Sequence, residues 1–250
     1  MPVVDSAGTP IAVEEIGPAD GRPVLVVHGF GSNRAANWLD AGWAEPLTEA
    51  GFRAILVDLR GHGESGKPVG AEHYRQECFI ADLIAVLDAL GLERVGYLGY
   101  SFGARLGWEL ALAHPERIDR LVLGGFSLAS PMASFDVEAA RAFIASGAEI
   151  AEPGTAALMR MAALVPGAEL ERLVDVVEGV RDAESAPVAA GTAPAAPLEI
   201  VVGERDEIAT GAAALAAELG AEFVELKARS HTSAITARGF KEAAVGWLAR

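Results

Sequence analysis

Six short apolar runs, separated by stretches with helical periodicity, constrain the fold of this chain more than any other feature of its sequence. The runs are residues 24–27, 54–57, 95–98, 121–123, 198–202 and 223–226, and the amphipathic stretches lie near 38–50, 78–91, 102–114, 209–219 and 235–249. An apolar run that does not alternate with polar residues is typical of a strand covered on both faces. Strands that alternate with helices indicate crossover connections and a mainly parallel sheet. The sequence therefore predicts an α/β fold.

Two segments depart from this rhythm. The residues before Val24, with the pattern IAVEEIG, predict an antiparallel edge strand. Residues 127–195 lack a strand pattern, and a Pro- and Ala-rich linker, SAPVAAGTAPAAP, leads back to the sheet. Three helix-like stretches lie within this segment: 136–149, 155–165 and 168–182. We therefore predict a core made of residues 1–126 and 196–250, with residues 127–195 inserted as a small helical cap over the strand ends.

Composition limits the functions that such a fold can serve. The chain has 20 Lys and Arg against 35 Asp and Glu, a formal net charge of −15, which repels nucleic acid. The single cysteine, Cys78, excludes an internal disulfide, and its apolar helical surroundings predict a buried side chain. We find no signal peptide at the N-terminus and no apolar run of membrane-spanning length. These features predict a soluble, cytoplasmic protein.

The motif GYSFG at residues 99–103 carries the clearest chemical signal. A strand-like stretch, VGYLGY, leads into it and a helix-like stretch, FGARLGWELALA, follows, so Ser101 is predicted to lie on a tight turn that exposes its hydroxyl. Gly99 and Gly103 suit this turn because a Cβ at either position would strike the neighbouring strand or helix. Ser101 is therefore a candidate nucleophile, provided that a base accepts its proton.

Five histidines compete for the role of that base. His28 and His62 lie in turns just after strands, where a histidine more often stabilises a loop. His73 lies in a polar stretch, and His114 lies at the end of a helix, where the helix dipole accounts for it. His231, in the loop ARSHTSA, is the only histidine after residue 114, as the chain order serine, acid, histidine requires. We predict His231 as the base.

The acid that orients the base is predicted just beyond a strand, between the serine and the histidine. The stretch LEIVVGERDE offers Glu204 and Asp206. We favour Asp206 because it lies further into the loop, whereas Glu204 is close enough to belong to the strand. Its role is to fix the tautomer of the imidazole and to stabilise the imidazolium without taking the proton itself. Glu204 stays open as the alternative acid.

Two backbone N–H groups are candidates for an oxyanion hole. Phe102 directly follows the nucleophile, and Phe30 lies in the loop of VLVVHGFGS, after the first long strand. Gly29 and Gly31 allow this second backbone to approach a substrate closely. Losing one such donor typically costs about 2.7–4 kcal/mol of transition-state stabilisation.

With these residues in place, the sequence resembles the α/β-hydrolase superfamily, in its serine-nucleophile, esterase-like branch. The motifs stand in the family's order: HGFG at 28–31, DLRGHGES at 58–65, GYSFG at 99–103, GERD at 203–206 and SH at 230–231. The resemblance implies the α/β-hydrolase fold, with an open sheet of about eight strands and a variable helical cap at the inserted segment. It also implies a structural role for DLRGHGES, so the predicted catalytic set leaves out Asp58, Arg60, His62 and Ser65.

The predicted function is that of a serine hydrolase that cleaves small to medium carboxylic esters through an acyl-enzyme. Ser101 disfavours the haloalkane dehalogenase and epoxide hydrolase branches, because they use an aspartate nucleophile. A lactonase, a C–C bond hydrolase or a perhydrolase with the same triad stays open, as does a receptor-like ligand-binding protein with vestigial hydrolysis. The sequence holds no metal or nucleotide motif, and we expect no cofactor.

Apolar side chains are expected around the substrate. One group, from the inserted segment, either lines an acyl pocket or packs the segment itself: Phe143, Leu158, Met159 and Met161. A second group is predicted to border the serine: Phe30, Trp38, Tyr100 and Phe102.

Overall fold

The computed structural model describes residues 3–128, 132–184 and 192–250, and the predicted α/β architecture is confirmed there. The strands are β1 Val3–Ser6, β2 Thr9–Ile16, β3 Arg22–Val27, β4 Phe52–Val57, β5 Val95–Tyr100, β6 Ile118–Gly124, β7 Leu198–Arg205 and β8 Glu222–Ser230. They form one sheet of eight strands in the order β1-β2-β4-β3-β5-β6-β7-β8. From β4 to β8 all neighbours are parallel, whereas β2 pairs antiparallel with both β1 and β4.

Helices cover both faces of this sheet. They are α1 Ala44–Glu49, α2 Gln76–Ala89, α3 Phe102–Ala113, α4 Val137–Ser146, α5 Pro153–Ala163, α6 Leu170–Glu184, α7 Ala212–Leu219, α8 His231–Ala234 and α9 Arg238–Leu248. A short π-helix, Ala35–Leu39, precedes α1. Within the described ranges, none of these helices combines the length and apolar character that a membrane crossing requires.

Alternate residues of the central strands face opposite layers. In β3, Leu25 and Val27 pack into the cluster that includes α2 and α3, whereas Val24 and Val26 pack on the side of α1 and α9. Because both faces of β3 are buried, its residues 24–27 form a continuous apolar run.

The N-terminal strands differ from the prediction in one respect. The segment IAVEEIG lies in β2, but β1 pairs outside it, so β2 is not the edge strand. The turn between the two strands is Ala7-Gly8, with φ of 49° and 83°. Hairpin turns of this left-handed kind usually hold Asn, Asp or Gly at both positions, so the alanine weakened the turn signal.

Three helices, α4, α5 and α6, lie between β6 and β7, where the sequence predicts them. Side-chain caps begin the first two, because Asp136 accepts a hydrogen bond from the N–H of Ala139 and Glu152 accepts one from the N–H of Gly154, each at 2.9 Å. The linker predicted over 185–197 lies outside the described residues from 185 to 191.

Candidate active site

Four loops meet at the carboxyl-terminal edge of the sheet. The loops after β3 and β5 hold Phe30 and Ser101, and those after β7 and β8 hold Asp206 and His231. Parallel strands place these loops at one edge, the usual position of a ligand site in an open α/β sheet. Phe30, Ser101, Phe102 and His231 line one pocket, and Asp206 contacts His231 from behind.

Ser101 lies on a strained turn between β5 and α3. Its φ of 54° and ψ of −114° are unusual for a residue with a side chain. A Cβ on Gly99 would lie 2.5 Å from the carbonyl oxygen of Gly103, and a Cβ on Gly103 would clash with the carbonyl oxygen of Val27. The predicted need for glycine at both positions is confirmed, and the turn leaves Ser101 partly exposed.

The carboxylate beside His231 is that of Asp206. Its two oxygens lie 3.0 and 2.9 Å from Nδ1 of His231. One of them also accepts hydrogen bonds from the N–H groups of Ile208 and Ala209, at 3.1 and 3.0 Å. Glu204 instead lies within β7 and accepts from the N–H of Ala228 at 2.7 Å. The geometry thus favours Asp206 over Glu204 as the orienting acid.

The imidazole of His231 is held on several sides. The hydroxyl of Tyr100 donates to the backbone oxygen of His231, and the two rings lie 5.3 Å apart. A Cβ on Gly125 would lie 2.8 Å from Cε1 of His231. Nδ1 faces Asp206, and neither Nε2 nor the Ser101 hydroxyl has a hydrogen-bond partner among the described residues. Ser101 and His231 therefore line the same pocket, but the structure does not show a hydrogen bond between them.

The loop after β3 closely approaches the serine. A Cβ on Gly29 would lie 3.3 Å from Cβ of Ser101, and the N–H of Gly29 donates to Oδ1 of Asn37 at 3.2 Å. Phe102 is the first residue of α3, where backbone N–H groups have no partner within the helix. The two predicted oxyanion donors, Phe30 and Phe102, thus belong to segments that flank Ser101.

The other histidines lie in different surroundings. His28 bonds through Nδ1 to the oxygen of Gly29 and accepts from the N–H of Leu59, and burial lowers its pKa to about 4. Burial and the nearby His28 lower the pKa of His62 to about 3. His73 is exposed, and His114 is partly exposed at the end of α3. In the described ranges, no three His, Cys, Asp or Glu side chains are arranged to hold a metal ion.

Most of the DLRGHGES segment, apart from the exposed Glu64, is buried and bonded within the fold. Arg60 pairs with Asp82 at 2.6 Å. Ser65 donates to the backbone oxygen of Asp58 at 2.6 Å and accepts from the N–H of Ala12 at 2.8 Å. These contacts join β2, β4 and α2, which agrees with the structural role that the family resemblance implies.

Ser101 and His231 line two pockets, with about 540 and 550 Å³ of empty space that includes space open to solvent. Several predicted lining residues are there: Phe30, Tyr100, Phe102, Leu158 and Met161. Three others are not among the lining residues. Met159 is fully buried and Phe143 partly buried in the core, whereas Trp38 packs against Trp43 with ring centroids 5.3 Å apart.

Two polar residues of these pockets were not predicted from the sequence. Arg105 lines the first pocket, and Asn37 lines the second. Arg105 follows Ser101 by four residues, and residues at this spacing share a helix face. A charged residue at that position in an otherwise apolar stretch is the signal that would have identified it.

Comparisons with known proteins agree with this architecture. A family model described as the alpha/beta hydrolase fold matches residues 22–148. A putative 2-succinyl-6-hydroxy-2,4-cyclohexadiene-1-carboxylate synthase of Bacillus subtilis is 37% identical over 119 residues, 47% of this chain and 41% of that protein. Epoxide hydrolase 4 of Mus musculus is 35% identical over 109 residues, 42% of this chain and 29% of that protein. The chain therefore spans less than half the length of these relatives.

A solved structure resembles the chain over its whole length. The enol-lactonase from Burkholderia xenovorans superposes with a TM-score of 0.81 and 24% identity, covering 100% of both chains. At this identity the similarity concerns the fold.

Proposed function

The chain belongs to the α/β-hydrolase fold family, and on this premise we propose that it is a serine hydrolase of small to medium carboxylic esters. One observation carries the proposal. At a single edge of the sheet, the strained turn of Ser101 faces the pocket that His231 also lines, and His231 is hydrogen-bonded to the buried carboxylate of Asp206.

The proposed reaction proceeds through an acyl-enzyme. Nε2 of His231 accepts the proton of Ser101 as Oγ attacks the ester carbonyl, and Asp206 stabilises the imidazolium. The backbone N–H groups of Phe30 and Phe102 bind the oxyanion. The imidazolium then protonates the departing alcohol. A water molecule, deprotonated by the same imidazole, hydrolyses the acyl-enzyme, releases the carboxylic acid and restores the Ser101 hydroxyl.

The residue at the nucleophile position favours ester hydrolysis over the epoxide opening for which one of the relatives is named. Branches of the family that open epoxides use an aspartate nucleophile, whereas this chain has Ser101 at the corresponding turn. The same triad suits lactones, C–C bonds and peracid formation, so the alternatives from the sequence keep the same residues. A receptor-like protein is the alternative without turnover.

The helices between β6 and β7 are proposed to act as a cap. Leu158 and Met161 of α5 line the pocket that holds Ser101, and a Cβ on Gly31 would lie 2.8 Å from Cβ of Ala162. Helix α5 therefore borders the site, as a cap would. A pocket bordered by such a short cap suits a small or medium substrate.

Hydrolysis of p-nitrophenyl esters, from acetate to octanoate, tests the proposal. We expect turnover, with the highest kcat/KM on short or medium chains. Ser101→Ala should abolish it while the thermal unfolding midpoint stays near that of the unmodified protein, because a small hydroxyl contributes little packing. Ser127→Ala is the matched control, since Ser127 lines the same pocket. Turnover retained by Ser101→Ala would contradict the assignment, and inactivity of the unmodified protein would support the receptor-like alternative.

A further inference from the structure

A charged side chain forms part of the wall of the first pocket. Arg105 lies on α3, one helical turn after Ser101, and is only 7% exposed. It lines the pocket together with the serine and with mainly apolar residues: Phe30, Phe102, Phe126, Met132, Leu158, Met161 and Ile208. A cation in such surroundings is costly unless its N–H groups find partners.

Only part of the Arg105 guanidinium is bonded within the protein. Its Nε donates to Glu109 at 3.0 Å, and no residue in the described part of the chain accepts from either terminal nitrogen. Arg60 is similarly buried, but both of its terminal nitrogens have partners. They donate to the backbone oxygen of His73 at 2.7 Å and to Asp82 at 2.6 Å. Arg105, which lines the pocket, therefore retains terminal N–H donors that no protein group occupies in the described part of the chain.

The planar end of a guanidinium matches the two oxygens of a carboxylate, and such paired hydrogen bonds are strong in a low-dielectric site. We propose that Arg105 binds a carboxylate of the substrate, so that the site takes esters or lactones bearing a second, ionised carboxyl group. This assignment deepens the proposed function and rests on it for the reacting bond. Glu109 neutralises the guanidinium through Nε and leaves its terminal nitrogens for the ligand.

Ligand binding tests the role of Arg105 without requiring turnover. The probes are 5-phenylpentanoate and 5-phenylpentanamide, which have the same shape and differ in charge, with Kd measured by ligand-observed NMR. We expect the unmodified protein to bind the carboxylate at least about tenfold more tightly than the amide. Arg105→Gln should weaken binding of the carboxylate about ten- to a hundredfold and change that of the amide by less than about threefold.

Glu109→Gln is the matched control, because it removes the ion-pair partner and keeps the guanidinium. It should preserve or increase the preference for the carboxylate. Equal weakening of both probes in Arg105→Gln, or equal affinity of the unmodified protein for both, would overturn the proposal.

Labelling of Ser101 by a fluorophosphonate separates this proposal from the proposed function. A labelled serine without carboxylate preference refutes the role of Arg105 alone. A clear preference without labelling supports the carboxylate site and refutes the serine hydrolase.

Discussion

Asp58 and Asp206 are two aspartates in nearly the same physical setting. Each side chain is 1% exposed, and each accepts hydrogen bonds from two backbone N–H groups. They differ in the side chain that faces them, which is the guanidinium of Arg34 for Asp58 and the imidazole of His231 for Asp206.

This difference separates a structural carboxylate from a proposed catalytic one. A guanidinium stays charged at any physiological pH, so Arg34 balances Asp58 permanently and ties the loop after β3 to the loop after β4. An imidazole can gain and lose its charge, and in the proposed reaction Asp206 faces a full positive charge while His231 carries the proton of the nucleophile. Burial is the same in both places, and the capacity of the partner to change charge distinguishes them.

Asp206→Asn is expected to have the largest effect on activity. It should lower kcat on a p-nitrophenyl ester by up to about 10⁴, because an amide favours the wrong tautomer of His231. Steady-state kinetics measure the loss. Glu204→Gln is the control and should lower kcat far less. A severe loss of kcat in Glu204→Gln, with little loss in Asp206→Asn, would identify Glu204 as the acid. Glu204 would then be the residue to compare with Asp58.

Asp58→Asn should instead act on stability. Asn removes a buried carboxylate from Arg34 and from two backbone N–H groups, but Arg34 keeps Glu14 and Glu64 as partners, so the free energy of unfolding in urea should fall by about 1–3 kcal/mol. Asp119→Asn, in an exposed pair with Arg22, should cost at most about 1 kcal/mol. The kcat of the folded Asp58→Asn protein should stay within about tenfold of the unmodified value. A severe loss of kcat in Asp58→Asn, with an unchanged free energy of unfolding, would contradict the distinction between a structural and a catalytic aspartate.

The buried histidines predict a smaller, pH-dependent effect. Burial lowers the pKa of His62 from 6.5 to about 3. Between these pH values the unfolded chain binds a proton at His62 and the folded chain does not. Stability should therefore fall as the pH drops below 6.5, by up to about 1.4 kcal/mol per pH unit for this residue. His62→Gln should flatten the dependence of the free energy of unfolding on pH between 6.5 and 4. An unchanged slope would show that His62 is charged in the folded protein.

Glu199 provides a control of opposite sign for the same titration. Burial raises its pKa from 4.5 to about 7, so its contribution to stability is lost as the pH rises through that interval. Glu199→Gln should therefore make the rise of the free energy of unfolding with pH steeper between pH 4.5 and 7 than in the unmodified protein. His62→Gln should make this rise shallower.

Much of the fold and of the candidate site could be predicted because their signals are local. A strand, a glycine-flanked serine and a helix follow one another within a few residues of Ser101. The edge strand β1 was not predicted because the turn that joins it to β2 has no clear sequence signal. Ala7 adopts the left-handed conformation in this turn, a position where Gly or Asn is usual. Cys78 is partly exposed instead of buried, because it lies beside the helix face on which Phe79, Leu83 and Val86 meet the core.

The lining of the pocket was predicted less well, because it depends on which face of each helix meets the site. Leu158 and Met161 are three residues apart and share the face that lines the pocket, whereas Met159 points into the core. Arg105 is a charged residue in a mainly apolar stretch, but its place beside the pocket follows only from the packing of α3. Such orientations follow from long-range packing and not from the periodicity of one segment.

The most direct measurement of the central claim locates the covalent adduct of a fluorophosphonate by peptide mass spectrometry. We expect one adduct, on Ser101, that is absent from Ser101→Ala, forms much more slowly in Asp206→Asn and forms at a nearly unchanged rate in folded Asp58→Asn. An adduct on another serine, or ester turnover that persists without labelling of Ser101, would contradict the account.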